Sequence, residues 1–279
     1  MTTTLQAQAG SANNLITPTT VDAVDLEQRV KSMYKAVAEN PHAEFHFEMG
    51  RVMAERLGYA AEVLDYIPAA AIDSFAGVGY YFHYANLKAG ESVIDLGSGS
   101  GMDTFYAAQL VGKRGRVVGI DMTAEQLDKS RDLLNNSDFE NITYQQAYIQ
   151  ATECEDESFD AVISNGVFNL APNKHAVFKE AARLLEPGGR IALADIVTNS
   201  RLPEGITCDA TLWAACIGGA MQQNDYLQAI RNAGFIVEQV RDNLEYQFIS
   251  DSAQGATREF GVKSISVLAR KADGQFSTI

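Results

Sequence analysis

The chain has 279 residues, 46% of them hydrophobic, with 36 acidic against 22 basic side chains and a net charge of −14. That length suits one large domain, or one domain plus a cap, and the acidity argues against a surface that neutralises nucleic-acid phosphates or rests on an anionic membrane. No run approaches the roughly 18 apolar residues of a membrane-spanning helix, and three widely spaced cysteines fit reduced thiols in the cytoplasm better than a disulfide frame.

Residues 1–21 are rich in Thr, Gln, Ala and Asn, without a basic start or an apolar core. They read as a disordered tail, not a signal peptide. Residues 22–85 read as a helical cap followed by an aromatic connector. Val24, Leu26, Val30, Met33 and Val37 form one apolar stripe over 22–38. Asn40–Pro41 predicts the start of a second helix that runs to Leu57 and stops at Gly58. Such a helix puts His42 and His46 on one face, but no third ligand follows at motif spacing, so no metal site is expected. In the connector 64–85, Tyr80, Tyr81 and His83 follow Gly77 and Gly79. They either cover one edge of the core or line a substrate pocket.

Residues 86–271 alternate strand and helix patterns, which predicts a mostly parallel sheet with right-handed crossovers. Val93–Leu96 reads as a buried strand, Gly97-Ser98-Gly99-Ser100-Gly101 as a tight loop, and Thr104–Leu110 as a helix. Arg116–Asp121 is a second strand that ends on an acid, where a carboxylate can accept from ribose hydroxyls. Thr123 and Gln126 have capping-box spacing. Strands follow at 141–149, 158–165 and 190–197, with a helix over 174–185 stopped by Pro187-Gly188-Gly189. Residues 200–223 interrupt the pattern on the substrate side and contain Trp213 and Cys216. A helix over 224–233 precedes strands at 236–241 and 262–270. No clear helix separates these two, so they should pair antiparallel. Seven strands are expected, the last one antiparallel. The strand ends carrying Asp95, Asp121, Tyr148/Ile149, Asn165 and Asp195 should converge on one crevice.

The glycine spacing separates two cofactor classes. A dinucleotide loop needs glycine at the sixth position, which here is Met102. An acid at the mouth of the loop, Asp95, suits a ligand with an ammonium group. This run, placed between strand and helix with Asp121 beyond it, resembles the class I S-adenosylmethionine-dependent methyltransferases of Rossmann-like fold. Three stretches are similar to the arsenite methyltransferases: 111–123, Ser164–Leu170 with Asn173-Lys174, and Cys216–Ala220. In that family's pattern, cysteine thiolates hold trivalent arsenic. One lies in a Gly-Cys-Gly loop, one after the Ser-Asn pair and one before Gly-Gly-Ala. The corresponding residues here are Val78, Gly166 and Cys216, so most of the arsenic-binding cysteines are missing.

The resemblance implies S-adenosylmethionine as cofactor. Asp95 with Gly97, Ser98, Gly99 and Gly101 would hold its amino-acid end, and Asp121 its ribose. Met122 and Ile149, with Tyr148 nearby, would enclose the adenine; Asn165 would lie by the methionine portion, and Tyr34 would close over the sulfonium. Tyr80, Tyr81, His83, Trp213 and Cys216 are the substrate-pocket candidates. His46 and His83 are the candidates for a general base, which is needed only where the acceptor carries a proton. The expected reaction is methyl transfer to a small organic molecule, not to nucleic acid or at a membrane. A thiol-dependent arsenite methyltransferase is the first alternative. A non-catalytic cofactor-binding module is the second.

Overall fold

A computed structural model describes residues 22–207, 213 and 217–272. The tail 1–21, Cys208 and Cys216 lie outside those residues.

Five helices precede the sheet: α1 (Ala23–Glu39), α2 (Arg51–Leu57), α3 (Ala61–Leu64), α4 (Ala69–Asp73) and α5 (Phe82–Ala85). Asp22 caps α1 by accepting from the Val24 and Asp25 amides. Leu26, Val30 and Val37 are buried as expected, whereas Val24, in the first turn, is exposed. The second helix is much shorter than expected. The Asn40 amide bonds back to Ala36, so Asn40 closes α1 and does not open a new helix. The chain then turns through 40–50, where Phe45 and Phe47 stack at 5.6 Å, and α2 begins only after Gly50. His42 and His46 therefore share no helical face.

The strands are β1 (Ser92–Leu96), β2 (Arg116–Asp121), β3 (Ile142–Gln146), β4 (Phe159–Asn165), β5 (Leu185–Thr198), β6 (Met221–Gln222), β7 (Phe235–Asp242) and β8 (Lys263–Lys271). Their order is β3-β2-β1-β4-β5-β8-β7, with the two-residue β6 pairing β5 off this path. β8 runs antiparallel to β5 and β7, and the other pairs are parallel. Intervening helices are α6 (Met102–Val111), α7 (Ala124–Asn135), α8 (Lys174–Leu184), α9 (Glu204–Thr207), α10 (Gln223–Asn232) and α11 (Asp251–Phe260). The expected sheet and its antiparallel last strand are present, with β6 as an eighth, short strand. α11 was not expected between β7 and β8. Ser250 caps it, but it buries only Ala253 and Ala256 and so leaves a faint apolar stripe.

Adjacent residues of the central strands belong to different cores. Val93, Ala161, Ile163, Ala192 and Ala194 face α6 and the N-terminal helices. Ile94, Val162, Ile191 and Leu193 face Phe178 of α8 with Tyr226 and Ile230 of α10. Burial on both faces gives the near-continuous apolar runs by which parallel strands are recognised.

Arg190, at 11% side-chain exposure, joins the N-terminal half to the sheet. It donates to both oxygens of Glu91, at 3.0 and 2.6 Å, and to the Ala85 carbonyl. Arg190→Met leaves the mostly buried Glu91 carboxylate with only the Lys88 amide as partner and the Ala85 carbonyl without its arginine donor. The expected cost is about 3 kcal/mol, measured as a lower urea midpoint with an unchanged slope.

Candidate functional site

The strand order reverses between β1 and β4, so the chain leaves their carboxyl ends in opposite directions and opens a crevice there. The loop after β1 is stitched to the end of β2. The Gly97 and Ser98 amides both donate to the Ile120 carbonyl, at 2.8 and 2.9 Å, and the Gly99 amide donates to Asp121 Oδ2 at 2.9 Å. Gly97 has φ +83°, and a Cβ there would stand 2.5 Å from Val167 Cγ2, so only glycine lets the loops after β1 and β4 approach this closely. Asp121 also accepts from the Thr123 amide at 2.8 Å. Gln126 does not close a capping box. It accepts from Ser100 Oγ at 2.5 Å and donates to the Tyr34 carbonyl at 2.7 Å. The glycine loop is thereby tied to α1, which forms the facing wall. Tyr148 reinforces this by donating to Glu27 of α1 at 2.7 Å.

A cavity of about 320 Å³ lies between these elements. All eleven positions expected to hold a cofactor, from Tyr34 to Asn165, line it. Asn165 does more than was expected of it. Its Oδ1 accepts from the Val78 amide at 2.7 Å, and its Nδ2 reaches the Gly79 carbonyl (3.0 Å), Tyr59 Oη (3.1 Å) and Asp103 Oδ2 (3.0 Å).

Among the described residues, the other candidates do not meet at this cavity. Tyr81 is fully buried behind the wall and donates to Asp103 at 2.8 Å. Tyr80 bonds Tyr106 at 3.3 Å and packs edge-on to Tyr59. His83 stacks on Tyr80, and burial, then Arg241, lower its pKa. His46 packs edge-on to Phe47. Trp213 donates to the Thr207 carbonyl at 2.6 Å, beneath the Lys174 ammonium. Tyr81 and Phe82 thus turn into the core, Tyr80 is half-buried and His83 is exposed; the stretch of connector that reaches the cavity is Phe75-Ala76-Gly77. Asp195 also misses the crevice. It accepts from Tyr226 Oη at 2.7 Å and from the Ile196 amide, and burial raises its pKa while it lowers that of nearby Lys174.

One lining residue, Asp103, had gone unassigned. It occupies the first turn of α6 and accepts from Tyr59 (2.6 Å), Tyr81 and Asn165. An acid in the first turn after a glycine loop is the signal that marks it. Asp95 accepts from Thr104 Oγ1 at 2.7 Å. Burial raises the pKa of Asp95, Asp103 and Asp121, and for Asp95 the neighbouring Asp103 and Asp121 raise it further. The wall carries four carboxylates, Glu27, Asp95, Asp103 and Asp121, but no lysine, arginine or histidine. Ser98 Oγ is buried in it without a hydrogen-bond partner.

A sequence model described as a methyltransferase domain matches residues 87–234. An arsenite methyltransferase of Halobacterium salinarum is 39% identical over 221 residues, 78% of this chain and 56% of that protein. One from Aquipseudomonas alcaligenes is 42% identical over 153 residues, 52% of this chain and 44% of that protein. The chain spans about half the length of the curated relatives it matches. The crystal structure of an arsenic(III) S-adenosylmethionine methyltransferase from Chlamydomonas reinhardtii is 29% identical, with a TM-score of 0.60, over 83% of this chain and 76% of that one. The domain match, the reversed strand order and the glycine loop agree: the chain belongs to the methyltransferase domain family, with the class I S-adenosylmethionine-dependent fold and an arsenite-methyltransferase-like sequence.

Proposed function

We propose that the chain transfers a methyl group from S-adenosylmethionine to a small organic acceptor. The observation that carries the cofactor reading is an acidic cavity with no protein cation, set at the strand switch point. When bound, the cofactor supplies a methyl carbon already activated by a positive sulfonium. Its charge balance suits the cavity, because its ammonium and sulfonium outnumber its one carboxylate. Each Asp121 oxygen already takes one amide and keeps a lone pair for a ribose hydroxyl. Met122, Tyr148 and Ile149 offer apolar surface for adenine. The protein's task is to align the acceptor and exclude water, and neither His46 nor His83 reaches the cavity as a base.

Two of the three thiolate positions of the arsenite pattern support an organic acceptor. Val78 and Gly166 adjoin, since a Cβ at Gly166 would lie 3.2 Å from Val78 Cγ1. Neither carries sulfur, and a soft metalloid needs several thiolates on it. Cys154 lies outside the cavity wall, with Sγ facing Gln145. The similarity to arsenite methyltransferases favours a second reading, methylation of arsenite through Cys216. An arsenite turnover assay decides between them: no methylated arsenic is expected above the no-enzyme level. Product that disappears in Cys216→Ser overturns the organic reading. We place the protein in the cytoplasm on its odd number of widely spaced cysteines; no helix among the described residues is long and apolar enough to cross a membrane.

Calorimetric titration with S-adenosylmethionine should show micromolar binding, weakened at least about thirtyfold in Asp121→Ala, which loses charge-assisted hydrogen bonds of about 1.5–3 kcal/mol each. No binding to well-folded protein overturns the cofactor reading.

The buried carboxylates also predict a pH effect. A carboxyl whose folded pKa is raised favours the folded state below its unfolded value of about 3.9, and that contribution is lost as pH rises through the folded value. The ligand-free protein therefore loses the Asp95 contribution as pH rises and the buried carboxyl ionises. Asp95→Asn keeps an acceptor for Thr104 and removes the charge. It should raise the ligand-free thermal midpoint at about pH 8, with the gain shrinking toward about pH 4. A lower midpoint at the higher pH would contradict this.

A further inference from the structure

The cofactor reading above uses Asp95 and Asp121 and leaves Asp103 without a role. All 22 lysines and arginines and all 4 histidines lie among the described residues, and none lines the cavity. The ammonium groups nearest the wall are committed elsewhere. Lys31 bonds Glu27 at 2.6 Å and Tyr148 at 3.0 Å. Lys129 bonds Ser74 Oγ at 2.8 Å and the Ala38 carbonyl at 3.0 Å. Lys174 bonds the Ala171 carbonyl at 3.0 Å and lies 4.7 Å from the Trp213 ring centroid. The glycine loop has little left for a second anion beyond the cofactor's own carboxylate, because the amides of Gly97, Ser98, Gly99 and Gly101 have partners within the protein. Asp103 receives three hydrogen bonds, from Tyr59, Tyr81 and Asn165. Three donors and no acceptor are the surroundings of an ionised carboxylate. The rest of the wall includes Leu26, Val30, Phe75, Val167, Leu170 and Ala171, which suit an apolar body.

We infer that the site rejects anionic acceptors and takes an uncharged or cationic molecule with an apolar body, and that Asp103 sets this selectivity; the inference rests on the cofactor reading above. A carboxylate, phosphate or sulfate entering this cavity meets like charge in a medium of low dielectric and finds no cation to offset its lost hydration. An amine, an alcohol or a phenol meets an acceptor instead. The tyrosines hold Asp103 at one place on the wall, so its field acts on whatever lies beside the cofactor.

Two measurements test this. In the first, S-adenosylmethionine and S-adenosylhomocysteine, which differ by the methyl and the positive charge, are titrated into wild type and Asp103→Asn. Asp103→Asn should weaken the sulfonium form more, so that the affinity ratio falls at least about threefold. An unchanged ratio overturns the role of Asp103. Binding of neither compound to wild type is a different failure, that of the cofactor reading. The second measurement needs no variant. Wild type saturated with S-adenosylhomocysteine is titrated with 2-phenylethylamine and with phenylacetate, followed by ligand-observed NMR. The amine should bind at least about tenfold tighter. Phenylacetate binding as tightly, or no binding of the amine, overturns the inference.

Discussion

The amide of Asn165 is the point on which the site's geometry depends. It stands at the carboxyl end of β4 and accepts from the Val78 amide while donating toward Gly79, Tyr59 and Asp103. One side chain thus joins the connector, the N-terminal cap and the first turn of α6. A buried amide with both ends engaged is worth more as a locator than as a source of stability, because any shift of one partner leaves another unpaired. Gly77 gives it room: a Cβ there would lie 2.6 Å from Asn165 Nδ2. The cap is consequently not a loose lid. It meets the sheet through a fixed set of polar contacts, and α1 then closes the opposite wall through Gln126 and Tyr148.

Much of this was legible in the amino-acid order. The central strands are buried on both faces, so their apolar runs stand out. The glycines between Leu96 and Met102 mark a turn that only a close approach of backbone explains. Acids at the ends of β1 and β2 follow from the alternation of strand and loop. What was not legible depends on contacts between distant residues. Asn40–Pro41 has the chemistry of a helix start, yet the same Asn40 ends α1, and local sequence does not choose between the two. The aromatics at 80–84 carry no mark of whether they face a ligand or Tyr106. The inward face of α11 is alanine around Gly255, too weak a stripe to separate from a loop. Asp103 was in plain view, but its importance lies in Tyr59 and Tyr81, which are 44 and 22 residues away.

The acidic wall places function and stability in opposition. Asp95, Asp103 and Asp121, buried together without a cation, lower the stability of the empty protein when ionised, and natural proteins tolerate such strain where a ligand relieves it. A positively charged ligand would therefore do more than fill space: its charge would offset that of the three buried carboxylates. Coupling of this kind makes the cavity wall the place where stability responds most to binding.

Gly166 has φ +72° and faces Val78, which is 1% exposed. This pair fixes how the connector meets the loop after β4. A side chain at 166 has to enter a left-handed backbone and crowd the valine, and a longer side chain at 78 has to displace that loop. A change at either position therefore strains the packing that holds the Val78 amide on Asn165, and the two positions are free to vary only together.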